Sequence, residues 1–322
     1  MPVSSGALTR EQFVAVAAGV LALAFAVALP GFRSWGNAFA LLRNVSVLGV
    51  FGLGMAVVVI GRGIDLSQVT VAIVSAAVAA KLIVAGTGLP ASLLAGLACA
   101  LILGAINGAL IAYLRVPPLL ATLASALLFA GVARLWFFRS MAIHLPPSPG
   151  TAWLGGSWGG VPVPVIVLAV CACALHLFLA HTRPGRFIYA HGDNPEAARL
   201  TGVAVRRLTL AEYALSAGIG YVASLVMASS TAMVDVQALS STLVFDVILV
   251  AVLGGVSLSG GRGGVLSVLA GTLLVGVLLN GMTTMDLNYQ LQNAIKGLVL
   301  LATLVAENWL HPQDEETAQQ GV

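Results

Sequence analysis

Charge is scarce in this chain. Of 322 residues, 12 are Asp or Glu and 15 are Lys or Arg, 8% in all, against roughly 25% in a soluble globular domain. A soluble protein of this length could not cover its surface with so few. Lysine is scarcer still. Lys81 and Lys296 are the only two, and no Gly-Lys-Ser/Thr occurs, so this chain hydrolyses no nucleotide by a P-loop. The three cysteines, Cys99, Cys171 and Cys173, lie in apolar stretches without Cys or His partners at ligand spacing. Neither a disulfide framework nor a metal site is expected. The basic residues are few and dispersed, which argues against a nucleic-acid partner. No His-Glu-x-x-His zinc helix occurs, and no Gly-x-Ser-x-Gly nucleophile elbow is expected. His144, His181, His191 and His311 fall in or beside loops, and His176 sits late in an apolar run. Packing or interfacial roles suit them better than ligation.

What is abundant is apolar: 59% of residues are hydrophobic, and 36 are Gly. Small residues let helices approach closely in a membrane, and a crossing takes about 20 apolar residues. Ten such spans are expected, at 13–30, 42–60, 68–86, 91–113, 119–138, 162–180, 208–228, 244–258, 264–282 and 290–309. The first is too long for a signal-peptide core and reads as an uncleaved helix. The fold class is thus an all-α, polytopic membrane protein in a single domain over 1–322. With the N-terminus in the cytoplasm, nine Arg fall in inner connections and four in outer ones. That asymmetry favours both termini inside. The tail 311–322, with Asp314, Glu315 and Glu316, would be a short cytoplasmic end. Residues 139–161, with Pro146, Pro147 and Pro149, would form the main outer loop, and 181–207 the main inner one. Ile106-Asn107-Gly108 echoes Leu279-Asn280-Gly281 five spans later. An odd spacing of spans fits two inverted five-helix repeats.

The inner loop carries most of the local signal. Asp193 or Asn194 can cap a helix with Pro195 at its first position. The helix then spans Pro195–Leu200 and stops at Thr201-Gly202, where Gly can turn left-handed. A capped helix with small Ala197 and Ala198 suits a docking surface. A topology-setting basic loop is the plainer alternative. Elsewhere Asp65 can pair with Arg62 or cap the third span, and in the glycine-rich stretch Gly254–Gly263 the residues Gly260–Gly263 read as a turn. Lys296 lies inside a span, with Asp246 or Asp286 as a partner, and Glu212 lies near the start of another. Asn44, Asn107, Ser125, Ser216 and Asn280 are uncharged membrane polars. They either bond between helices or, with Asp65 and Lys296, line a passage.

Glu196-Ala197-Ala198-x-x-x-Gly202 resembles the cytoplasmic Glu-Ala-Ala…Gly loop of ABC importer permeases. Further blocks resemble the ribose/xylose/arabinose-type sugar permease family: Gly61-Arg62-Gly63-Ile64-Asp65-Leu66-Ser67; Ile106-Asn107-Gly108 with Leu114-Arg115-Val116-Pro117-Pro118 and Ala121-Thr122-Leu123; Gly192-Asp193-Asn194-Pro195; and Leu253–Gly263. They run from about residue 45 to 305. Arg62 stands where the family has a second Gly, and Gln68-Val69-Thr70 where it has Val-Gly-Ser. The particular sugar is therefore open. The resemblance implies import of a monosaccharide by a dimer of permease chains, identical or not, in a bacterial inner membrane. A separate ATPase subunit would hold ATP and Mg, no cofactor being bound by this chain. It would dock on Asp193, Asn194, Pro195, Glu196, Ala197, Ala198 and Gly202. A periplasmic or lipid-anchored binding protein would deliver the sugar, and the passage itself would be weakly polar. The alternatives are an ABC permease for a nucleoside, a signal molecule or a branched-chain amino acid, and an ion-coupled transporter using Glu212 or Asp246.

Overall fold

A computed structural model describes residues 9–137 and 141–310. The expected tail 311–322 and the last residue of the fifth span lie outside that range. The helices are α1 (Arg10–Ala28), α2 (Trp35–Ile60), α3 (Gln68–Val84), α4 (Leu89–Ala112), α5 (Pro118–Trp136), the single turn α6 (Pro149–Ala152), α7 (Val163–His181), α8 (Arg183–Asp193), α9 (Pro195–Leu200), α10 (Val205–Thr231), α11 (Leu243–Gly254), α12 (Val265–Thr284) and α13 (Tyr289–Leu310). Each expected span falls on one of these. Seven of the described helices are long and apolar enough to cross a membrane, namely α1, α2, α4, α5, α7, α10 and α12. α3 and α11 are apolar but shorter.

Helix starts follow local chemistry. Thr9 opens α1 with a capping box, its hydroxyl accepting from the Gln12 amide while its own amide donates to Gln12 Oε1 at 3.0 Å. Ser34 caps α2 by accepting from Asn37 N, and Thr182 caps α8 by accepting from Gly185 N. Between caps the backbone amides and carbonyls pair mainly with one another, as hydrocarbon demands, and side chains add to a few carbonyls, as Gln68 Nε2 does to Phe51 O and Tyr221 OH to Leu93 O. Packing decides which faces are covered. α2 is buried along most of its length and α3 along most of its own, whereas α1 exposes Phe13, Val16, Val20, Leu23 and Val27.

Connections gather at two ends. At one, Gly261 N donates to Ile60 O, Arg10 lies against Gly255, and Tyr189 of α8 donates to Gly263 O. At the other, β1 (Ala142–His144) pairs antiparallel with β4 (Met233–Asp235), and Gly155 abuts the Ser229 carbonyl. These strands, with the small hairpin of β2 (Ser157–Trp158) and β3 (Val161–Pro162), were not foreseen. They are too short for a periodic signal. The α8 helix was also missed, despite its Thr182 cap, because its polar residues with Pro184 and Gly185 read as loop.

The two halves pack in related ways. α2 lies against α11 and α12 as α10 lies against α3 and α4. That is the pattern an inverted repeat of five spans produces. Glycine permits the closest crossing: Gly254 abuts the Ser267 carbonyl and Gly271 abuts Val250 O, so α11 and α12 meet backbone to backbone. Gly254→Ala has no space for its methyl and should cost about 1–3 kcal/mol through overpacking. The check is the thermal midpoint of purified protein in detergent. It should fall by several degrees, while Gly19→Ala, in open space, leaves it unchanged.

Candidate functional site

The inner end holds the segment that sequence singled out. Asn194 caps α9, its Oδ1 accepting from Glu196 N at 3.0 Å and Ala197 N at 2.9 Å. Gly202 closes it at φ 87°. Asp193, Asn194, Glu196, Ala197 and Arg199 face outward, Pro195 is half-buried, and Ala198 faces the protein. Leu200 projects beside them, 81% exposed. An apolar side chain bared on a polar, capped turn was missed in the sequence, where it read as the end of a short helix.

The segment is fastened to the helix bundle just before this turn. Gly192 lies on the Ile60 carbonyl and the Gly261 amide, where no side chain would fit. Next to it His191 Nδ1 meets Glu212 Oε1 of α10 at 3.3 Å. Glu212, 2% exposed, is roofed by Gly61. Thus α8, α10 and the end of α2 share one contact. Tyr189, a turn earlier, donates to Gly263 O at 2.9 Å, and burial pushes its phenol up, which keeps the donor proton in place. Beside the fastening lies a cavity of about 320 Å³ walled by Arg62, His191, Arg206, Thr209, Glu212 and Tyr213.

The candidate passage residues do not converge. Asp65, 1% exposed, accepts from Ser67 N at 2.9 Å and Ser67 Oγ at 2.6 Å. It thereby shapes the turn into α3, and the expected pairing with Arg62 is not formed. Asn107 Nδ2 donates to the same Ser67 hydroxyl at 2.6 Å, and Leu66 N donates to Thr122 Oγ1. The connection Gly61–Ser67 is therefore knotted to α4 and α5. Ser125 bonds back to Thr122 O within its own helix, and the buried Ser216 hydroxyl has no partner among the described residues. Asn280 forms a reciprocal amide pair with Asn37, both bonds 2.9 Å. Asn44 faces outward on α2. Hydrogen bonding between or within helices accounts for Asp65, Ser125 and Asn280, and for the Nδ2 but not the buried Oδ1 of Asn107.

Lys296 has a partner, and it is Asp246. Its Nζ lies 2.9 and 3.1 Å from the two carboxylate oxygens and 3.1 Å from Thr242 Oγ1. Thr242 Oγ1 in turn lies 3.1 Å from Tyr289 OH and 3.1 Å from Asn293 Oδ1. The cluster ties the start of α13 to the start of α11, and α13 touches the described fold chiefly there. One stretch, Gly155-Gly156-Ser157-Trp158-Gly159, does have the Gly-x-Ser-x-Gly spacing, against expectation. It forms the exposed β2–β3 hairpin, not the strand-to-helix turn that presents a nucleophile. Among the described residues no group of three His, Cys, Asp or Glu could hold a metal.

A multi-pass helical bundle with a capped, bundle-fastened turn at one end is the build of a polytopic membrane protein. Residues 37–305 match the family described as the branched-chain amino acid transport system permease component, and the chain belongs to that family. It is similar to the ribose import permease protein RbsC of Escherichia coli K12, 33% identical over 92% of this chain and 94% of that one. It is also similar to two others from that strain. The galactofuranose transporter permease protein YtfT is 31% identical over 88% and 82% of the respective chains, and the L-arabinose transport system permease protein AraH is 30% identical over 95% and 93%. No solved structure matches.

Removing one member of the Asp246–Lys296 pair strands the other charge in a nearly closed site. Lys296→Met should cost about 3–5 kcal/mol, and the double replacement with Asp246→Asn should recover most of it. Folded yield in membranes and thermal midpoint in detergent report the difference. Equal loss in single and double variants would show that the pair is not what holds α13.

Proposed function

We propose that this chain is the membrane-spanning subunit of an ATP-driven, binding-protein-dependent importer of a monosaccharide. The observation that carries the reading is the match over nearly the whole chain to permeases named for ribose, galactofuranose and L-arabinose. The family's own description names branched-chain amino acids. The individual relatives are the more specific guide to substrate, since similarity to them extends over the whole bundle. An ion-coupled mechanism is less well supported. It would need a membrane carboxylate free to load a cation, and both candidates are engaged, Glu212 by His191 and Asp246 by Lys296.

On this reading the end bearing α9 faces the cytoplasm, as the nine Arg of its connections favour, and the membrane is a bacterial inner membrane. Both termini are cytoplasmic. A separate ATPase subunit receives α9, with Leu200 as the apolar anchor and Asp193, Asn194, Glu196, Ala197 and Arg199 around it. Ala198 and Gly202 shape the turn from beneath. ATP and Mg sit on that partner. A second permease copy completes the membrane unit, and a periplasmic or lipid-anchored binding protein supplies the sugar. Nucleotide-driven movement of α9 reaches α10 and α2 through the His191–Glu212 contact and the Gly192 seat. It thereby biases an outward-open to inward-open equilibrium.

The test is co-purification with the candidate ATPase together with sugar uptake in vesicles. Wild type should retain the ATPase and take up ribose, galactofuranose or arabinose only when ATP is present. Leu200→Asp and Glu196→Arg should lose the ATPase at least tenfold at unchanged membrane abundance. Uptake that follows an ion gradient without any ATPase would overturn the assignment.

A further inference from the structure

α3 and α11 are each the third long helix of their half, and both are short, at 17 and 12 residues. Neither begins at an end of the bundle. Gln68, the first residue of α3, packs on Gly54, whereas α2 runs on to Ile60. At 1.5 Å per residue, α3 starts about 9 Å inside the inner end. Val250 of α11 packs on Gly52 of the parallel α2. The first residue of α11, Leu243, is then level with about Val45. That is about 15 Å below the outer start of α2 at Trp35.

Both helices are fed by non-α backbone that travels through this depth. Gly61–Ser67 rises from the inner end, and Ala232–Thr242 descends along α3 from the β1–β4 pair through a 3-10 turn over Val236–Ser240. Irregular backbone at such depth persists only inside protein or beside water. Short helices at corresponding positions of two halves are the usual markers of a transport site. Here the two starts meet at a cavity of about 160 Å³ walled by Thr70, Leu123, Ala126, Ala238, Ser241 and Phe245, among others.

We propose that this cavity, between the buried starts of α3 and α11, is the portion of the sugar passage that this chain contributes. The proposal rests on the permease reading above. No charged side chain lines the cavity, and it offers the hydroxyls of Thr70 and Ser241 among aliphatic and aromatic walls. That chemistry suits a neutral polyhydroxyl solute that must be held weakly and let go. An ionic or strongly hydrogen-bonding lining would trap it. One flank is open, with Leu123 46% and Phe245 50% exposed. A second permease copy on that flank closes it. Two halves of this size enclose about 320 Å³, within the roughly 300–1,000 Å³ of ligand pockets. Asp65, Asn107, Asn280 and Lys296 stand outside the lining, consistent with their hydrogen bonds to protein.

The experiment places single cysteines in a chain whose Cys99, Cys171 and Cys173 are replaced by Ala, co-expressed with the ATPase and retained in membranes. Thr70→Cys and Ser241→Cys are treated with a charged, water-soluble methanethiosulfonate. Leu23→Cys, on the exposed face of α1 away from the cavity, is the control. Both cavity cysteines should react at least tenfold faster than the control, and reaction should lower ATP-dependent uptake at least tenfold. Ala126→Trp, which fills the cavity, should block uptake while membrane abundance and ATPase capture stay at wild-type levels. Cavity cysteines no more reactive than the control, or reacting without effect on uptake, overturn the proposal. The labelling comparison needs no transport. If wild type takes up no monosaccharide, the functional reading fails, while reactive Thr70→Cys and Ser241→Cys still mark a water-lined passage.

Discussion

Every peptide group placed in hydrocarbon must find its partner inside the protein, because each unpaired one costs several kcal/mol. That constraint accounts for most of this structure. It turns the apolar runs into helices, sends the connections to two ends and confines irregular backbone to places where protein covers it. The exceptions are the informative parts. Gly61–Ser67 survives below the inner end because Asp65, Ser67, Asn107 and Thr122 bond its backbone and one another. The polar residues that look like passage lining are in large part what makes a re-entrant turn tolerable.

The same constraint explains the glycines. Helices in lipid gain nothing by hiding apolar area from water, so dispersion at close approach must hold them together. Gly254 and Gly271 bring α11 against α12, while Gly104 and Gly108 bring α4 against α10 backbone. Gly192 performs a different task. It presses the α8–α9 segment onto the carbonyl of Ile60, so the inner loop is joined to α2, a helix buried along most of its length. On the proposed reading, a segment that passes movement from a partner to the bundle benefits from contact without intervening flexible side chains.

Much of the fold was legible in the sequence. The hydrophobic runs located every long helix, since their signal is one of length and composition and survives single-sequence reading. The cap at Asn194 and the stop at Gly202 were legible too, because capping is local chemistry. The partners of Lys296 and Glu212 were only half legible. A charge in a span announces that it needs a partner, but the choice of Asp246 over Asp286 depends on how α13 leans on α11. The passage candidates chosen for polarity fared least well. Polarity in a membrane reports a need for a hydrogen bond, and Ser67 meets that of Asp65 and of Asn107 Nδ2, and Asn37 that of Asn280, without any solute.

Where a chain carries solute is therefore better sought in its backbone than in its polar side chains. A helix that starts halfway through the membrane leaves its first amides unpaired by the helix itself. Those amides must meet water, protein or cargo. α3 takes the protein solution on one side, through Asp65 and Ser67, while Thr70 on the next turn looks toward Ser241 and the start of α11 across open space. On the proposed reading, the shortness of α3 and α11 is what leaves a gap between their starts. A longer apolar run at either place would make a better membrane helix and would seal the gap that a transporter must keep.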